Sequence, residues 1–180
     1  MLTITGHHHI SMITKNAQEN HQFYHQILGL RRVKKTVNQD APTMYHLFYG
    51  DLTGSPGTGL TFFELSHAGR THRGTDAITR IGLLVPSYDS LLYWENRLNE
   101  FAIEHSGLTK YGETDAIHFE DPDGLRLVFL NNQDKQIPQE WTKWEDSPVE
   151  MAHQILGIGP VELTVSSLAD AEQTLVQLFG

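Results

Sequence analysis

Residues 6–30 read Gly6-His7-His8-His9-Ile10-Ser11-Met12-Ile13-Thr14-Lys15-Asn16-Ala17-Gln18-Glu19-Asn20-His21-Gln22-Phe23-Tyr24-His25-Gln26-Ile27-Leu28-Gly29-Leu30, an extended run followed by a helical one. His7–Thr14 alternates as a strand does, and Phe23, Tyr24, Ile27 and Leu28 recur at helical spacing. Asn16 is placed to cap the helix with Glu19 as its capping-box partner, and Gly29 to end it. The same opening recurs 71 residues on, around Thr79–Phe101, and 151 residues on, at Gly159–Gly180. Where the first copy has His9, the second has Arg80 and the third Pro160.

Three strand-like runs follow the first helix: Arg32–Val37, Met44–Tyr49 and Leu60–Leu65. The second copy repeats the order. A strand at Ile78–Val85 leads into a helix starting at Pro86-Ser87, then into runs at Gly107–Lys110, Ala116–Phe119 and Leu125–Leu130. Asp121-Pro122-Asp123-Gly124 is a turn before the last of them. The pattern predicts an α+β fold of paired βαβββ units forming a curved, barrel-like mixed sheet, eight-stranded with helices outside. A first module is expected over 1–135, with units 1–65 and 77–131. A polar linker, 136–154, follows, anchored by Trp141 and Trp144. The stretch 155–180 starts an incomplete second module: a strand at Val161–Val165 and a helix capped by Ser167, with Ala171, Leu175 and Leu178 on its buried side. A half-built unit leaves an open strand edge and an unmatched apolar helix face. The expectation is therefore a truncated chain or a homo-oligomer.

The chain has 180 residues, 39% apolar and 19% charged, which is a globular composition. Its net charge of −9, with no Lys/Arg-rich face, argues against a nucleic-acid partner. The cluster Arg31, Arg32, Lys34 and Lys35 reads as a solvated strand edge. With no cysteine, disulfides, thiolate metal sites and Cys nucleophiles are excluded. No run of 18 apolar residues and no signal-peptide pattern is present, so the expectation is a cytoplasmic protein with no membrane partner.

Several residues invite chemistry. Strand alternation puts His7, His9, Ser11 and Ile13 on one face and His8, Ile10 and Met12 on the other. His9 is a metal-ligand candidate, because a neutral imidazole suits Fe(II), Mn(II) or Zn(II); the alternative is a hydrogen-bonded strand histidine. His8 reads as an acid/base, which needs a departure from regular strand geometry, or as a strand-edge residue. Glu64 reads as a strand-end surface carboxylate rather than a ligand. His46 and His118 read as satisfied structural histidines, and Tyr45 and Tyr49 as pocket phenols. Gly54-Ser55-Pro56-Gly57-Thr58-Gly59 lacks the Gly-Lys-Ser/Thr ending of a phosphate loop and reads as a turn. Arg70, His72 and Arg73 read as a solvated connector.

The βαβββ repeat with its Asp121-Pro122-Asp123-Gly124-Leu125 turn resembles the vicinal-oxygen-chelate superfamily of glyoxalases, extradiol dioxygenases and bleomycin-resistance-type proteins. Gly6-His7-His8-His9-Ile10-Ser11, Val33-Lys34-Lys35-Thr36-Val37-Asn38, Tyr45-His46-Leu47-Phe48-Tyr49-Gly50-Asp51 and Gly54-Ser55-Pro56-Gly57-Thr58 are similar to the two-module, hydroquinone-type ring-cleaving dioxygenases. The resemblance implies four units and a Fe(II) site, sometimes Mn(II), built from two His and one Glu. His9 matches the ligand of the first strand, His8 a histidine behind it, and Ser11 a small hydroxyl near the substrate. The second His and the Glu belong to a fourth unit that this chain does not contain. Where single-module relatives carry those ligands, this chain has Arg80 and Val128. The resemblance implies a metal-dependent ring-cleaving dioxygenase acting with O2 on a small hydroquinone- or catechol-type aromatic, or a part of one. A glyoxalase-type isomerase or lyase, and a non-catalytic small-molecule-binding module, stay open beside it. Because the triad is incomplete, whether the 180 residues are themselves an enzyme is left undecided.

Overall fold

The computed structural model describes residues 6–69 and 72–179, so Arg70 and Gly180 lie outside the described residues. The first unit is β1 (His9–Thr14), α1 (Ala17–His21), continued by a π-helical segment Gln22–Ile27, then β2 (Arg31–Val37), β3 (Tyr45–Gly50) and β4 (Gly59–Glu64). The second is β5 (Ala77–Val85), α2 (Tyr88–Glu100), β6 (Thr109–Tyr111), β7 (Thr114–Glu120) and β8 (Arg126–Asn131). A strand, β9 (Gly157–Thr164), and a helix, α3 (Leu168–Phe179), complete the order. The α+β class and the repeated βαβββ order are as the sequence predicts.

The helix ends follow local chemistry. The Asn16 side chain accepts from the backbone N–H groups of Gln18 and Glu19 at 2.9 and 3.2 Å. The capping partner is Glu64 rather than Glu19: its carboxylate accepts from Ala17 N–H at 2.9 Å. Gly29 closes the helix at φ +72°, and a Cβ there would stand 2.5 Å from Val149 Cγ2.

The expected single eight-stranded sheet is instead two sheets, ordered β1-β4-β3-β2 and β6-β7-β8-β5-β9. Nor do the helices lie outside. Ile10, Leu47, Tyr49, Leu60 and Phe62 of the first sheet share one apolar cluster with Phe23, Tyr24 and Ile27 of the first helix, with Leu91, Trp94 and Leu98 of α2, and with Ile81, Ile117 and Phe129 of the second sheet. The Arg97 guanidinium on α2 donates to the carbonyls of Ile27 and Gln26 at 2.7 and 2.8 Å. Burying both helix-bearing faces in a common core is the apolar solution, and it turns the other face of each sheet outward.

The second sheet continues into the third copy. β9 runs antiparallel to β5 with Arg80 opposite Glu162, and the two side chains pair at 2.6 Å. β1 forms the corresponding edge of the first sheet and pairs only with β4 among the described strands. The expected buried side of α3 is exposed: none of its residues is buried, and Leu168 is 75% exposed. In units one and two the helix packs in the apolar cluster with the sheet of its own unit, whereas among the described residues no α3 side chain joins either apolar cluster.

The stretch between β8 and β9 is built into the core. The Trp141 indole N–H donates to Pro56 O at 2.8 Å, while Trp144 stacks on His25. No helix among the described residues is long and apolar enough to cross a membrane.

Candidate functional site

β1 buries Ile10 and Thr14, half-buries Met12, and exposes His9, Ser11 and Ile13. Its neighbours extend that open face in register. His9 lies beside Gly59; Ser11 beside Thr61, then Phe48 and Lys34; Ile13 beside Phe63, then His46 and Thr36. His9 and Ser11 therefore share the face turned away from the helices. A Cβ on Gly59 would meet His9 Cβ at 2.9 Å, so the missing side chain makes room for the imidazole.

The strand begins at His9 rather than His7, and that changes His8. Free of strand alternation, its ring lies edge-on to His9 with Nδ1 to Nδ1 at 3.0 Å. One ring must donate and the other accept, which leaves both Nε2 atoms facing elsewhere. The His8 carbonyl accepts from Gly57 N–H at 2.8 Å. Gly57 sits at φ +90° against the Trp141 indole. The Gly54–Gly59 segment is thus a turn, as expected, and it sets the start of β1. Four backbone N–H groups, those of Thr53, Gly54, Ser55 and Thr142, donate to the Asp51 carboxylate. Burial pushes Asp51 up, but the bonds from Thr142, Ser55 and Gly54 outweigh it and hold the carboxyl below its ordinary value.

Ser11 Oγ and Thr61 Oγ1 are hydrogen-bonded at 2.9 Å. His46 stacks between Phe48 and Phe63, with ring centroids 3.9 Å away on either side. Its Nε2 is buried without a partner, contrary to the expectation of a satisfied histidine. Burial, with His9 and Lys34 adding to it, lowers its pKa. Sequence alternation on β3 held the clue, because His46 and Phe48 share a parity that Tyr45 and Tyr49 do not. Those tyrosines, expected to be pocket phenols, belong to the opposite side. Tyr49 is buried in the core, and Tyr45 lies under the Lys35 ammonium at 3.7 Å. Glu64, bonded to the start of α1, also faces away from His9.

The outward face of the second sheet is chemically different. At the His9 position stands Arg80, paired with Glu162. Val128 lies in an apolar patch with Ala116 and Leu130. His118 has an unpartnered Nδ1; burial and then the Arg80 charge lower its pKa. The Arg73 guanidinium of the connector donates to Glu120.

His9 offers one imidazole, a donor that suits a divalent metal, on an open face beside His8, and the rows around it hold no carboxylate. Among the described residues no three His, Cys, Asp or Glu side chains converge. A cavity of about 720 Å³ lies apart from His9, between the end of β1 and the Asp121–Gly124 turn. The two aspartates of that turn are already engaged. Asp123 accepts from the Thr14 hydroxyl at 2.6 Å, and Asp121 accepts from the buried Tyr24 hydroxyl at 2.9 Å.

Comparison with known proteins agrees with this fold. Residues 6–129 match the model of the Glyoxalase/Bleomycin resistance protein/Dioxygenase superfamily. The chain is 42% identical, over 99% of its length, to the "Putative ring-cleaving dioxygenase MhqA" of Bacillus subtilis (strain 168), and covers 56% of that protein. It is 34% identical over 67% of its length to the "Chlorohydroquinone/hydroquinone 1,2-dioxygenase" of Sphingobium indicum, covering 38% of it. A crystal structure of a "putative dioxygenase" from Bacillus subtilis superposes with a TM-score of 0.87 at 32% identity, over 99% of this chain and 56% of that one. The chain thus spans about half the length of the curated relatives it matches.

Proposed function

The chain belongs to the Glyoxalase/Bleomycin resistance protein/Dioxygenase superfamily, and from that premise we propose that it carries the His9 half of a metal-dependent dioxygenase site that cleaves hydroquinone- or catechol-type rings. The observation that supports this most is the pairing of His8 and His9 on an open sheet face beside the Ser11–Thr61 hydroxyl pair. The superfamily and its dioxygenase members imply a divalent metal. Fe(II) is the first choice for O2 chemistry, with Mn(II) or Zn(II) as alternatives.

His9 would hold the metal through Nε2, while His8 fixes the tautomer and the ring plane through the Nδ1 contact. A metal held there would supply Lewis-acid and redox chemistry toward a phenol and O2. The Ser11 and Thr61 hydroxyls would orient the phenol, and His8, whose Nδ1 accepts from His9 Nδ1–H, keeps its own proton on Nε2 and would orient the phenolic oxygen by donating from there. In the reaction, a ring carbon–carbon bond beside a hydroxyl-bearing carbon breaks, and both atoms of O2 end in the product. The remaining ligands come from outside these 180 residues, across the edge of β1, from the rest of a longer chain or from a second copy in a homo-oligomer. A non-catalytic, ring-binding role for the isolated chain is the second reading, favoured by the absence of a ligand trio among the described residues.

The test is anaerobic Fe(II) loading of the protein, with metal content read by elemental analysis, followed by O2 uptake with a substituted hydroquinone. Metal uptake that disappears in His9→Ala but persists in His118→Ala supports the reading. Uptake unaffected by His9→Ala overturns it. Metal-free protein that still binds aromatics is the signature of the second reading.

A further inference from the structure

The open face beside His9 is not uniformly polar. Its middle row runs Ser11, Thr61, Phe48, Lys34, and the next row runs Ile13, Phe63, His46, Thr36. Phe48, His46 and Phe63 form a continuous stack, each neighbouring pair of ring centroids at 3.9 Å. All three side chains are half-buried, although the helix-free side of an antiparallel pair is ordinarily polar. Three touching rings on a solvent-facing sheet, rather than scattered apolar residues, call for a ligand. Lys34 stands on the outermost strand, three strands and about 14 Å from Ser11 at ~4.8 Å per strand, yet its ammonium leans back to 5.5 Å from the Phe48 centroid. Of the side chains in these rows, Lys34 carries the one fixed charge and none is a carboxylate. The face thus offers an imidazole and two hydroxyls at one side, rings in the middle and a cation at the far side.

We infer that His46, Phe48 and Phe63 form the platform on which the substrate ring packs, and that Lys34 at its rim selects dihydroxybenzenes bearing an anionic substituent. This deepens the proposed ring-cleaving function and rests on it for the identity of the ligand. Stacking on the trio holds the ring beside the Ser11–Thr61 hydroxyls, so its own hydroxyl points to His9 and its substituent to Lys34. His46, kept uncharged by burial, adds ring area without opposing a cation at Lys34.

The experiment uses metal-free protein, so it does not depend on the metal site. Hydroquinone and 2,5-dihydroxybenzoate are titrated anaerobically, following the ring protons of His46, Phe48 and Phe63 by NMR. Saturable shifts at all three are expected with both ligands, with the benzoate binding roughly two- to fivefold tighter. Phe48→Leu, which keeps bulk but removes the ring, is expected to weaken both by roughly three- to tenfold. Lys34→Met is expected to erase only the preference for the benzoate. Shifts that avoid the three rings, or an affinity unchanged in Phe48→Leu, overturn the platform. Equal affinity for the two ligands in the unsubstituted protein overturns the role of Lys34. Ring binding at the trio without any metal uptake by His9 would leave the platform standing and reject the dioxygenase reading, so the two failures are distinguishable.

Discussion

The Nδ1 atoms of His8 and His9 meet at 3.0 Å, although consecutive residues of a regular strand point to opposite faces. The contact exists because β1 starts at His9, and His8 is held by its carbonyl to Gly57 rather than by strand pairing. If His8 orients His9, His8→Phe is expected to weaken divalent-metal binding by roughly 10- to 100-fold. Isothermal titration with Co(II) checks this; an unchanged affinity makes His8 a bystander.

Gly57→Ala is expected to act on the same half-site from a distance. A Cβ at φ +90° would meet Trp141 Cζ2 at 2.7 Å, and relief requires moving the turn that holds His8. A loss of about 1–3 kcal/mol in urea unfolding is expected, together with weaker metal binding. Gly112→Ala, also at positive φ but with nothing within 4 Å, should cost less and leave metal binding alone.

The turn of the second unit is tied to the first by a buried carboxyl. Burial raises the pKa of Asp121 from 3.8 to about 6, against the hydrogen bonds from Leu125 and Tyr24 that lower it. A carboxyl with a raised folded pKa binds more protons when folded. Its contribution is therefore fully present below pH 3.8 and is lost as pH rises through 6, a swing of up to about 3 kcal/mol. Relative to Asp121→Asn, which cannot titrate, the unsubstituted protein should gain stability as pH falls from 7 to 4. A difference independent of pH, measured by chemical denaturation, contradicts this.

Asp51 behaves oppositely in design, accepting four backbone N–H bonds from its own turn and from Thr142. Asp51→Asn places an amide where Thr142 N–H needs an acceptor. A destabilisation of about 1–3 kcal/mol is expected, seen as a lower urea midpoint with an unchanged slope.

The exposed apolar side of α3 should govern association of the 180-residue chain. Val176 and Leu178 are 60% and 67% exposed. Val176→Lys with Leu178→Glu is expected to reduce hydrophobic-dye binding and shift sedimentation toward monomer. Its effect on unfolding free energy should be within about 0.5 kcal/mol, because neither side chain is packed. Association unchanged by the pair would place the self-contact elsewhere.

Much of this was legible in one dimension. The period of the apolar residues identifies both βαβββ units, because helices and strands bury fixed periodicities. Asn16, Gly29 and Asp121-Pro122-Asp123-Gly124 mark their boundaries through local hydrogen bonding and backbone freedom. The alternation that puts His9 and Ser11 on one face is a property of any strand. It also separates His46 and Phe48 from Tyr45 and Tyr49, but it does not say which parity faces a core.

That decision belongs to packing between units. The helices α1 and α2 share one core between the two sheets, which sends the faces of His9 and Arg80 outward. Only the register across β1, β4, β3 and β2 gathers His9, Ser11, Thr61, Phe48 and Lys34, residues as far as 52 positions apart, onto one surface. The start of β1 two residues later than expected, set by Gly57 and Trp141, turns His8 toward His9. Local sequence determines the elements because propensity and capping act within a few residues. Which faces meet, and therefore which side chains share a site, follows from minimising exposed apolar area over the whole chain.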